Sequence, residues 1–199
     1  MIIAGAANLG LEVLAILLAN KYSGKIVFFD TDKAKEGMLY NQFRVITDEM
    51  QIKQELKTNN DFIVAIGHPR LRERMYNKLL AWGGTPTNVI SNNAHLFTFL
   101  NPFKGCIIEP GAGISHSTEI GDGCAIHINC TIGHAVKLGK FVNIGPSANI
   151  VGPCVISDYA YIAVGAIILP HVHIGKNAII SAGALVNRNI ADFETFYKD

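Results

Sequence analysis

Residues 120–138 read IGDGCAIHINCTIGHAVKL, and within this stretch an aliphatic residue returns at every sixth position. The same period extends on both sides of the stretch, from Ile108 to Val186, without a slip. The fourteen aliphatic positions are Ile108, Ile114, Ile120, Ile126, Ile132, Leu138, Ile144, Ile150, Ile156, Ile162, Ile168, Ile174, Ile180 and Val186. A helix repeats its apolar residues every three or four positions and an isolated strand every two, so a period of six indicates a larger repeating unit.

A second, mostly small series of residues follows four positions behind the first. Its members are Ala112, Thr118, Cys124, Cys130, Val136, Val142, Ala148, Cys154, Ala160, Ala166, Val172, Ala178, Ala184 and Ile190. A parallel β-solenoid of triangular cross-section explains both series, because each hexad forms one short strand and a turn, and three hexads close a coil. The pattern predicts such a solenoid over residues 108–191, with about five coils and a length of roughly 20 Å. Residues 192–199 are interpreted as a short tail.

The cysteines fit the same pattern. Cys124, Cys130 and Cys154 fall in the small series, and Cys106 continues its phase upstream. We interpret them as packed core thiols rather than as metal ligands or nucleophiles. The sequence has no CxxC spacing, which favours reduced thiols over a disulfide framework or a zinc site.

Residues 1–90 lack the six-residue period and alternate short apolar strands with helical patterns. This alternation predicts a small parallel α/β domain, which a linker over residues 91–107 joins to the solenoid. Ligands of such a sheet bind beyond the carboxyl ends of its strands, here at Gly5–Gly10, Asp30–Thr31 and Gly67–His68.

Two local features of this domain are ambiguous. The glycine-rich turn is a weak signal for a nucleotide, because Ala7 replaces the middle glycine of the dinucleotide fingerprint and a tight turn that opens a helix explains Gly5 and Gly10 equally well. A later helix begins at Pro69, a favoured first helical residue. Its apolar spacing predicts that Leu71, Met75, Leu79 and Leu80 face inward and that Arg70, Arg72, Arg74 and Lys78 face mostly outward.

Composition excludes several classes of function. The 17 Lys and Arg against 16 Asp and Glu give a net charge of +1, so no basic field is present to hold a nucleic acid or an anionic membrane. In the first half, the aliphatic run that contains Leu14 to Ala19 falls far short of the roughly twenty residues of a membrane span. The first basic residue is Lys21, which argues against a secretory signal, and the expected location is the cytoplasm.

The chain combines the α/β pattern, the segment Ala65-Ile-Gly-His-Pro-Arg-Leu-Arg72 and a solenoid carrying Ile132-Gly-His-Ala-Val-Lys-Leu-Gly139. In this order and in these motifs it resembles the NeuD/PglD type of bacterial sugar acyltransferase. The resemblance implies a Rossmann-like domain followed by a left-handed β-helix, and acetyl transfer from acetyl-CoA to nucleotide-linked sugars, often amino sugars, during surface-glycan synthesis. It also implies a homotrimer that holds acetyl-CoA between neighbouring solenoids and the nucleotide-sugar in the first domain, with no metal.

The Gly-His motif of the family falls on His134, which the resemblance implies to be the general base toward the acceptor amine or hydroxyl. For the acetyl-CoA, the resemblance implies that Asn143 contacts the acetyl end and that Gly152 offers its backbone N–H to the thioester oxygen. Val164 is implied to line the pantetheine channel.

The nucleotide-sugar positions carry over in the same way. Asn8 and Leu9 stand at the family's Gly-His turn, Asp30 and Thr31 stand at its acidic pair, and His68 ends the third strand. Asn8 and Leu9 replace the family's usual Gly-His, and only the first acid of the pair is kept, so the resemblance allows an altered nucleotide or sugar preference.

Three departures leave a second hypothesis open. Ala135 stands where the family commonly has the acid that orients the base, Asn143 replaces a second histidine, and a Gly-x-Pro-Ala segment near the adenine of CoA is missing from residues 192–199. The alternative is a catalytically weak or inactive solenoid that binds a nucleotide-sugar or a protein partner.

A further rival is the zinc solenoid that hydrates carbon dioxide, in which three histidines meet across a subunit interface and two of them lie five positions apart. Here His127 and His134 are seven apart, and His171 and His173 are two apart. This spacing argues against a metal centre.

Overall fold

The computed structural model describes residues 1–97 and 100–198. Residues 98 and 99 of the predicted linker and residue 199 of the predicted tail lie outside the described residues. The amino-terminal part contains β1 (Ile2–Ala4), α1 (Asn8–Ala19), β2 (Val27–Phe29), a 3-10 turn (Lys33–Lys35), β3 (Gly37–Leu39), β4 (Phe43–Ile46), α2 (Glu49–Leu56), β5 (Asp61–Val64), α3 (Pro69–Ala81) and β6 (Thr85–Pro86). None of the three helices in these ranges has the length and apolar character that a membrane crossing requires.

The strands β1 to β6 form one sheet in the order β3-β4-β2-β1-β5-β6. Every pair in it is parallel except β3 with β4. The central strands are apolar on both faces because helices cover both faces: Ile3 and Phe28 pack with α1, and Ile2 and Phe29 pack with residues of α2 and α3. The strand order reverses beside β1, and the carboxyl ends of β1, β2 and β5 therefore meet at the sheet edge where such folds bind ligands.

The solenoid is built from two-residue strands, which recur at intervals of six from Ile107 to Val186. They are β7 (Val89–Ile90), β8 (His95–Leu96), β9 (Ile107–Ile108), β10 (Gly113–Ile114), β11 (Glu119–Ile120), β12 (Ala125–Ile126), β13 (Thr131–Ile132), β14 (Lys137–Leu138), β15 (Asn143–Ile144), β16 (Asn149–Ile150), β17 (Val155–Ile156), β18 (Tyr161–Ile162), β19 (Ile167–Ile168), β20 (His173–Ile174), β21 (Ile179–Ile180), β22 (Leu185–Val186) and β23 (Thr195–Phe196).

Three parallel sheets form the sides of the triangular prism. We call them side one (β7, β9, β12, β15, β18, β21, β23), side two (β8, β10, β13, β16, β19, β22) and side three (β11, β14, β17, β20). All fourteen aliphatic positions of the first series are at most 4% exposed, as are the fourteen of the second. The predicted fold, a Rossmann-like domain followed by a left-handed β-helix, is confirmed. The four cysteines are buried and unpaired, as the small series predicted.

The strand ladders continue past both ends of the range 108–191. Upstream, β7 pairs with β9 and β8 pairs with β10, so an additional coil begins in the last residues of the predicted first domain and continues into the predicted linker. Ile90 and Leu96 keep the six-residue phase, so this coil does have a signal in the sequence. Downstream, β23 lies within the predicted tail and pairs with β21, with Phe196 opposite Ile180. Phe196 follows Ile180 by 16 residues, whereas paired residues in the other coils are 18 apart. The six-residue phase therefore shifts by two, and the sequence does not reveal this strand.

The predicted orientation of α3 is partly wrong. Leu71 and Leu80 are half exposed, whereas Arg72 is 1% exposed and lies under the solenoid. Its guanidinium donates hydrogen bonds to the carbonyl oxygens of Ile66, Gly67, Gly123, Phe141 and Val142 at 2.7–3.2 Å. These five acceptors explain how the cation can be buried. Because burial disfavours the charged form, the pKa of Arg72 falls to about 10.

Candidate functional site

The carboxyl edge of the first sheet encloses a cavity of about 410 Å³. It is lined by Gly5, Ala7, Asn8, Leu9, Phe29, Asp30, Thr31, Lys35, Ala65, Ile66, Gly67 and Met75. Four of the five residues predicted for a nucleotide-sugar thus lie around one cavity. The fifth, His68, is exposed at the N-cap of α3, directly after the lining residue Gly67.

The glycines of the first turn place the start of α1 against this cavity. Gly5 has a φ of +114°, which disfavours any residue with a side chain. A Cβ at Gly10 would overlap the carbonyl oxygen of Gly5. The first turn of α1 contains no acidic residue, and its N-cap Ala7 makes no side-chain cap. The free N–H groups and the positive end of the helix dipole at Asn8 and Leu9 therefore favour an anion in the cavity.

Asp30 is held at the end of β2 by three hydrogen bonds. Its Oδ2 accepts from the backbone N–H of Ala6 and from Lys35 Nζ, both at 2.8 Å, and its Oδ1 accepts from the N–H of Asp32 at 3.0 Å. Burial alone would raise the pKa of Asp30, but the Lys35 ammonium and the two backbone donors lower it. The carboxylate is therefore a fixed anion with one oxygen that has room to accept a further hydrogen bond. Lys35 and Met75 are cavity residues that the sequence did not predict.

His134 lies at the corner between β13 and β14, where side two meets side three, and its side chain is exposed. Its ring lies beside His116, one coil earlier, with ring centroids 5.6 Å apart. Among the described residues, no group makes a hydrogen bond with the His134 imidazole. Ala135, in place of an orienting acid, has a φ of 53°.

Gly152 occupies the same corner one coil later and is buried. A Cβ there would overlap the carbonyl oxygen of His134, so only glycine allows the two coils to approach this closely. Within the described ranges, nothing accepts a hydrogen bond from the Gly152 N–H. The structure therefore brings His134 and Gly152 together and leaves both with unused hydrogen-bonding groups.

The other two predicted cofactor residues are not brought to this corner. Asn143 lies in β15 on side one, opposite the corner of His134, and it is 1% exposed. Val164 is 52% exposed and lies two residues after β18, a strand that also belongs to side one. Within one chain, the predicted acetyl-CoA residues are thus divided between two regions of the prism.

Comparison with known proteins agrees with this architecture. Residues 1–79 match the family model "PglD N-terminal domain", and residues 153–188 match "Bacterial transferase hexapeptide (six repeats)". The GDP-perosamine N-acetyltransferase of Escherichia coli O157:H7 is 29% identical over 90% of this chain and 81% of that protein. The chain therefore combines a PglD-type amino-terminal domain with the hexapeptide repeats of bacterial transferases. The resemblance inferred from the sequence is thereby confirmed.

Two solved structures resemble the chain over nearly its whole length. PerB from Caulobacter crescentus, in complex with CoA and GDP-perosamine, is 25% identical with a TM-score of 0.88, over 96% of this chain and 90% of that chain. The acetyltransferase domain of PglB from Neisseria gonorrhoeae, in complex with acetyl-CoA, is 25% identical with a TM-score of 0.90, over 98% and 94%.

The protein also contains a polar cluster that the sequence did not predict as a unit. His127 Nδ1 lies 3.0 Å from Glu109 Oε1, and His127 Nε2 lies 3.2 Å from Asn143 Oδ1. Glu12 of α1 faces the same group, so Glu12, Glu109 and His127 have ligand-type atoms within 4.8 Å of one another. Glu109 and His127 are 18 residues apart, which is one coil, and this spacing is the signal that could have paired them.

Proposed function

We propose that this chain is an acetyl-CoA-dependent acetyltransferase that acts on an amino sugar linked to a nucleoside diphosphate, with His134 as the general base. The observation that carries the proposal is the corner where the backbones of His134 and Gly152 meet, with an exposed imidazole on one coil and, among the described residues, a backbone N–H without an acceptor on the next. The CoA and GDP-perosamine of the PerB complex and the acetyl-CoA of the PglB complex support the substrate classes. Synthesis of a bacterial surface glycan is the process that uses such a product.

The cavity of the first sheet suits the nucleotide-sugar. Its volume of about 410 Å³ is in the range of small-molecule sites. The α1 N-terminus at Asn8 and Leu9 provides backbone donors for a diphosphate. The fixed Asp30 carboxylate accepts hydrogen bonds from sugar hydroxyls, with Thr31 beside it. His68 extends from this edge and would contact the sugar.

At the solenoid corner, the chemistry is an acyl transfer. His134 takes a proton from the acceptor amine as the nitrogen forms a bond to the acetyl carbon, and the carbon–sulfur bond of the thioester breaks. The Gly152 N–H donates to the acetyl oxygen, where negative charge develops. CoA leaves as the thiolate and receives a proton, so the products are the acetamide and free CoA thiol.

The division of the cofactor residues between two regions supports a homotrimer. In such a trimer, His134 of one copy would face side one of the neighbouring copy. Asn143 and Val164 of the neighbouring copy would then lie at the His134 corner. Apolar side chains exposed along the solenoid provide surface for this contact: Ile128, Val164, Ile167 and Leu185 are each at least 38% exposed. Sedimentation analysis tests the assembly, because a monomer that is stable at micromolar concentration and fully active would exclude an intersubunit site.

Acetyl-CoA binding by calorimetry, followed by release of CoA thiol with UDP-, GDP- and TDP-linked amino sugars, tests the activity. Saturable acetyl-CoA binding and turnover with one of the acceptors would support the proposal. The second candidate function is a binding protein without catalysis, which is favoured by Ala135 and by the finding that none of the described residues orients the His134 ring through a hydrogen bond. Binding of a nucleotide-sugar without any turnover would support that alternative.

A further inference from the structure

The cluster at Glu109, His127 and Asn143 is a continuous hydrogen-bonded chain under α1. The side chains of Glu109 and His127 are 6% and 14% exposed, and Asn143 is 1% exposed. Glu109 Oε2 accepts from the backbone N–H of Ile128 at 2.8 Å, which fixes the carboxylate with Oε1 toward the imidazole. An ionised carboxylate only accepts hydrogen bonds, so Nδ1 of His127 carries a hydrogen.

The protonation state of His127 then decides how the Asn143 amide is oriented. In a neutral ring with its hydrogen on Nδ1, Nε2 is an acceptor, and Asn143 turns its NH₂ toward the ring. In an imidazolium, Nε2–H donates to the Asn143 oxygen, and the NH₂ points away from the ring. Because the two ends of an amide are distinguished by their hydrogen bonds, the protonation state of His127 decides which end of the Asn143 amide is free.

The surroundings of His127 favour the imidazolium. Burial alone would lower the pKa of His127, but the Glu109 carboxylate, the Asn143 oxygen and the charge of Glu12 raise it. Glu109 from the solenoid and Glu12 from α1 are the charged groups that face the ring. Within the described ranges, the remaining end of the Asn143 amide has no hydrogen-bond partner. Among the described residues, this NH₂ is not one of the fully buried side-chain atoms that lack a partner, so it reaches the protein surface and is accessible to a group from outside the chain.

We propose that Glu109 and His127 are positioning residues for acetyl transfer: they hold Asn143 with its NH₂ directed at the oxygen of the incoming acetyl group. This inference rests on the proposed function. The imidazolium behind Asn143 polarises the amide and strengthens its donation as charge develops on that oxygen. The Glu109–His127 pair thus supports the acetyl end of the site, while His134 supports the acceptor end.

The test combines a spectroscopic measurement with a pH profile. In the wild-type protein labelled at histidine and asparagine, ¹⁵N shifts should show that His127 titrates above the usual histidine pKa of about 6.5. The Asn143 side-chain amide should change with the same midpoint, and kcat should fall over the same range as pH rises. Glu109→Gln removes the charge and should move all three midpoints to lower pH, with KM for acetyl-CoA nearly unchanged.

Two further variants make the test specific. Asn143→Leu should lower kcat by on the order of 10²-fold, the effect of removing one donor to the reacting oxygen. Glu119→Gln is the matched control, because Glu119 pairs with Lys137 on the exposed surface of side three. Glu119→Gln should leave the pH profile of kcat unchanged.

The possible failures are distinguishable. If the wild-type chain transfers no acetyl group, the proposed function fails, and the ¹⁵N titrations still decide whether His127 controls the Asn143 amide. If the chain is active but Glu109→Gln leaves the midpoints in place, or Asn143→Leu keeps full kcat, the positioning role is wrong. Titration with Zn²⁺ gives a further check, since saturable binding that displaces the Nδ1 hydrogen of His127 would make the cluster a metal site and overturn the inference.

Discussion

Gly152 lies directly against the backbone of His134, and a Cβ at position 152 would overlap the carbonyl oxygen of His134. The contact joins successive coils at the corner that bears the proposed base, so the position of the imidazole depends on the absence of a side chain one coil away.

Gly152→Ala should therefore displace the His134 corner. We expect kcat to fall by on the order of 10²-fold, since a shift of about 1 Å has effects of that size. The free energy of unfolding should fall by about 1–3 kcal/mol, as in other overpacked sites. Steady-state kinetics and urea unfolding measure the two effects. Gly113→Ala is the control, because the nearest atom to its Cβ is 4.0 Å away. Full activity in Gly152→Ala would show that the contact does not position the base.

Asp30→Asn should weaken nucleotide-sugar binding. Loss of the charge also loosens the contacts with Lys35 and the N–H of Ala6, so we expect KM for the nucleotide-sugar to rise on the order of tenfold. KM for acetyl-CoA should stay unchanged. Asp48→Asn is the control, because Asp48 caps α2 and Asn caps a helix equally well. An unaltered KM for every nucleotide-sugar in Asp30→Asn would remove Asp30 from the binding site.

The Asp30→Asn variant also tests how the stability of the fold depends on pH. The pKa of Asp30 is lowered in the folded protein, so its contacts stabilise the fold above the unfolded pKa and are lost as pH falls through the folded pKa. The difference in unfolding free energy between wild type and Asp30→Asn should be present at neutral pH and disappear in acid. A difference that grows as pH falls would contradict this sign.

Ala135→Asp should supply the orienting acid that the corner lacks. Position 135 has a φ of 53°, a region that Asp tolerates better than most residues, so the fold should accept the change. A carboxylate beside the imidazole favours its protonated form, and the acidic limb of the kcat/KM profile should move to higher pH. The rate on the plateau should be equal or greater. An unchanged profile would indicate that another group orients the base in the assembly.

The sequence predicted the solenoid core well because the environment of each side chain depends only on its place in a period of six. It missed the coil of Ile90 and Leu96 because Pro102 interrupts the series, and it missed β23 because the last coil is two residues short. Arg72 was misplaced because its acceptors are backbone carbonyls from distant turns, which leave no mark in the local pattern.

In the candidate site, too, some residues could be predicted from the sequence and others could not. Asn8, Leu9, Asp30 and Thr31 were predictable because strand ends and helix starts meet at one edge of a parallel sheet. The Glu109–His127–Asn143 cluster was not predicted, because its members become neighbours only after the backbone has coiled once, and only the 18-residue spacing of Glu109 and His127 marks this in the sequence. The separation of His134 from Asn143 likewise depends on which side of the prism each residue occupies.

The most direct measurement is acetyl transfer by wild type and His134→Ala, assayed as released CoA thiol with the panel of nucleotide-linked amino sugars. We expect wild-type turnover with one acceptor, and a kcat reduced in His134→Ala by a factor on the order of 10² to 10⁴ with KM for acetyl-CoA nearly unchanged. His173→Gln, at an exposed histidine of β20 on side three, is the control and should keep wild-type kinetics. Undiminished turnover in His134→Ala would exclude His134 as the base, and a wild-type chain that binds nucleotide-sugar but transfers no acetyl group to any acceptor would contradict the enzymatic function itself.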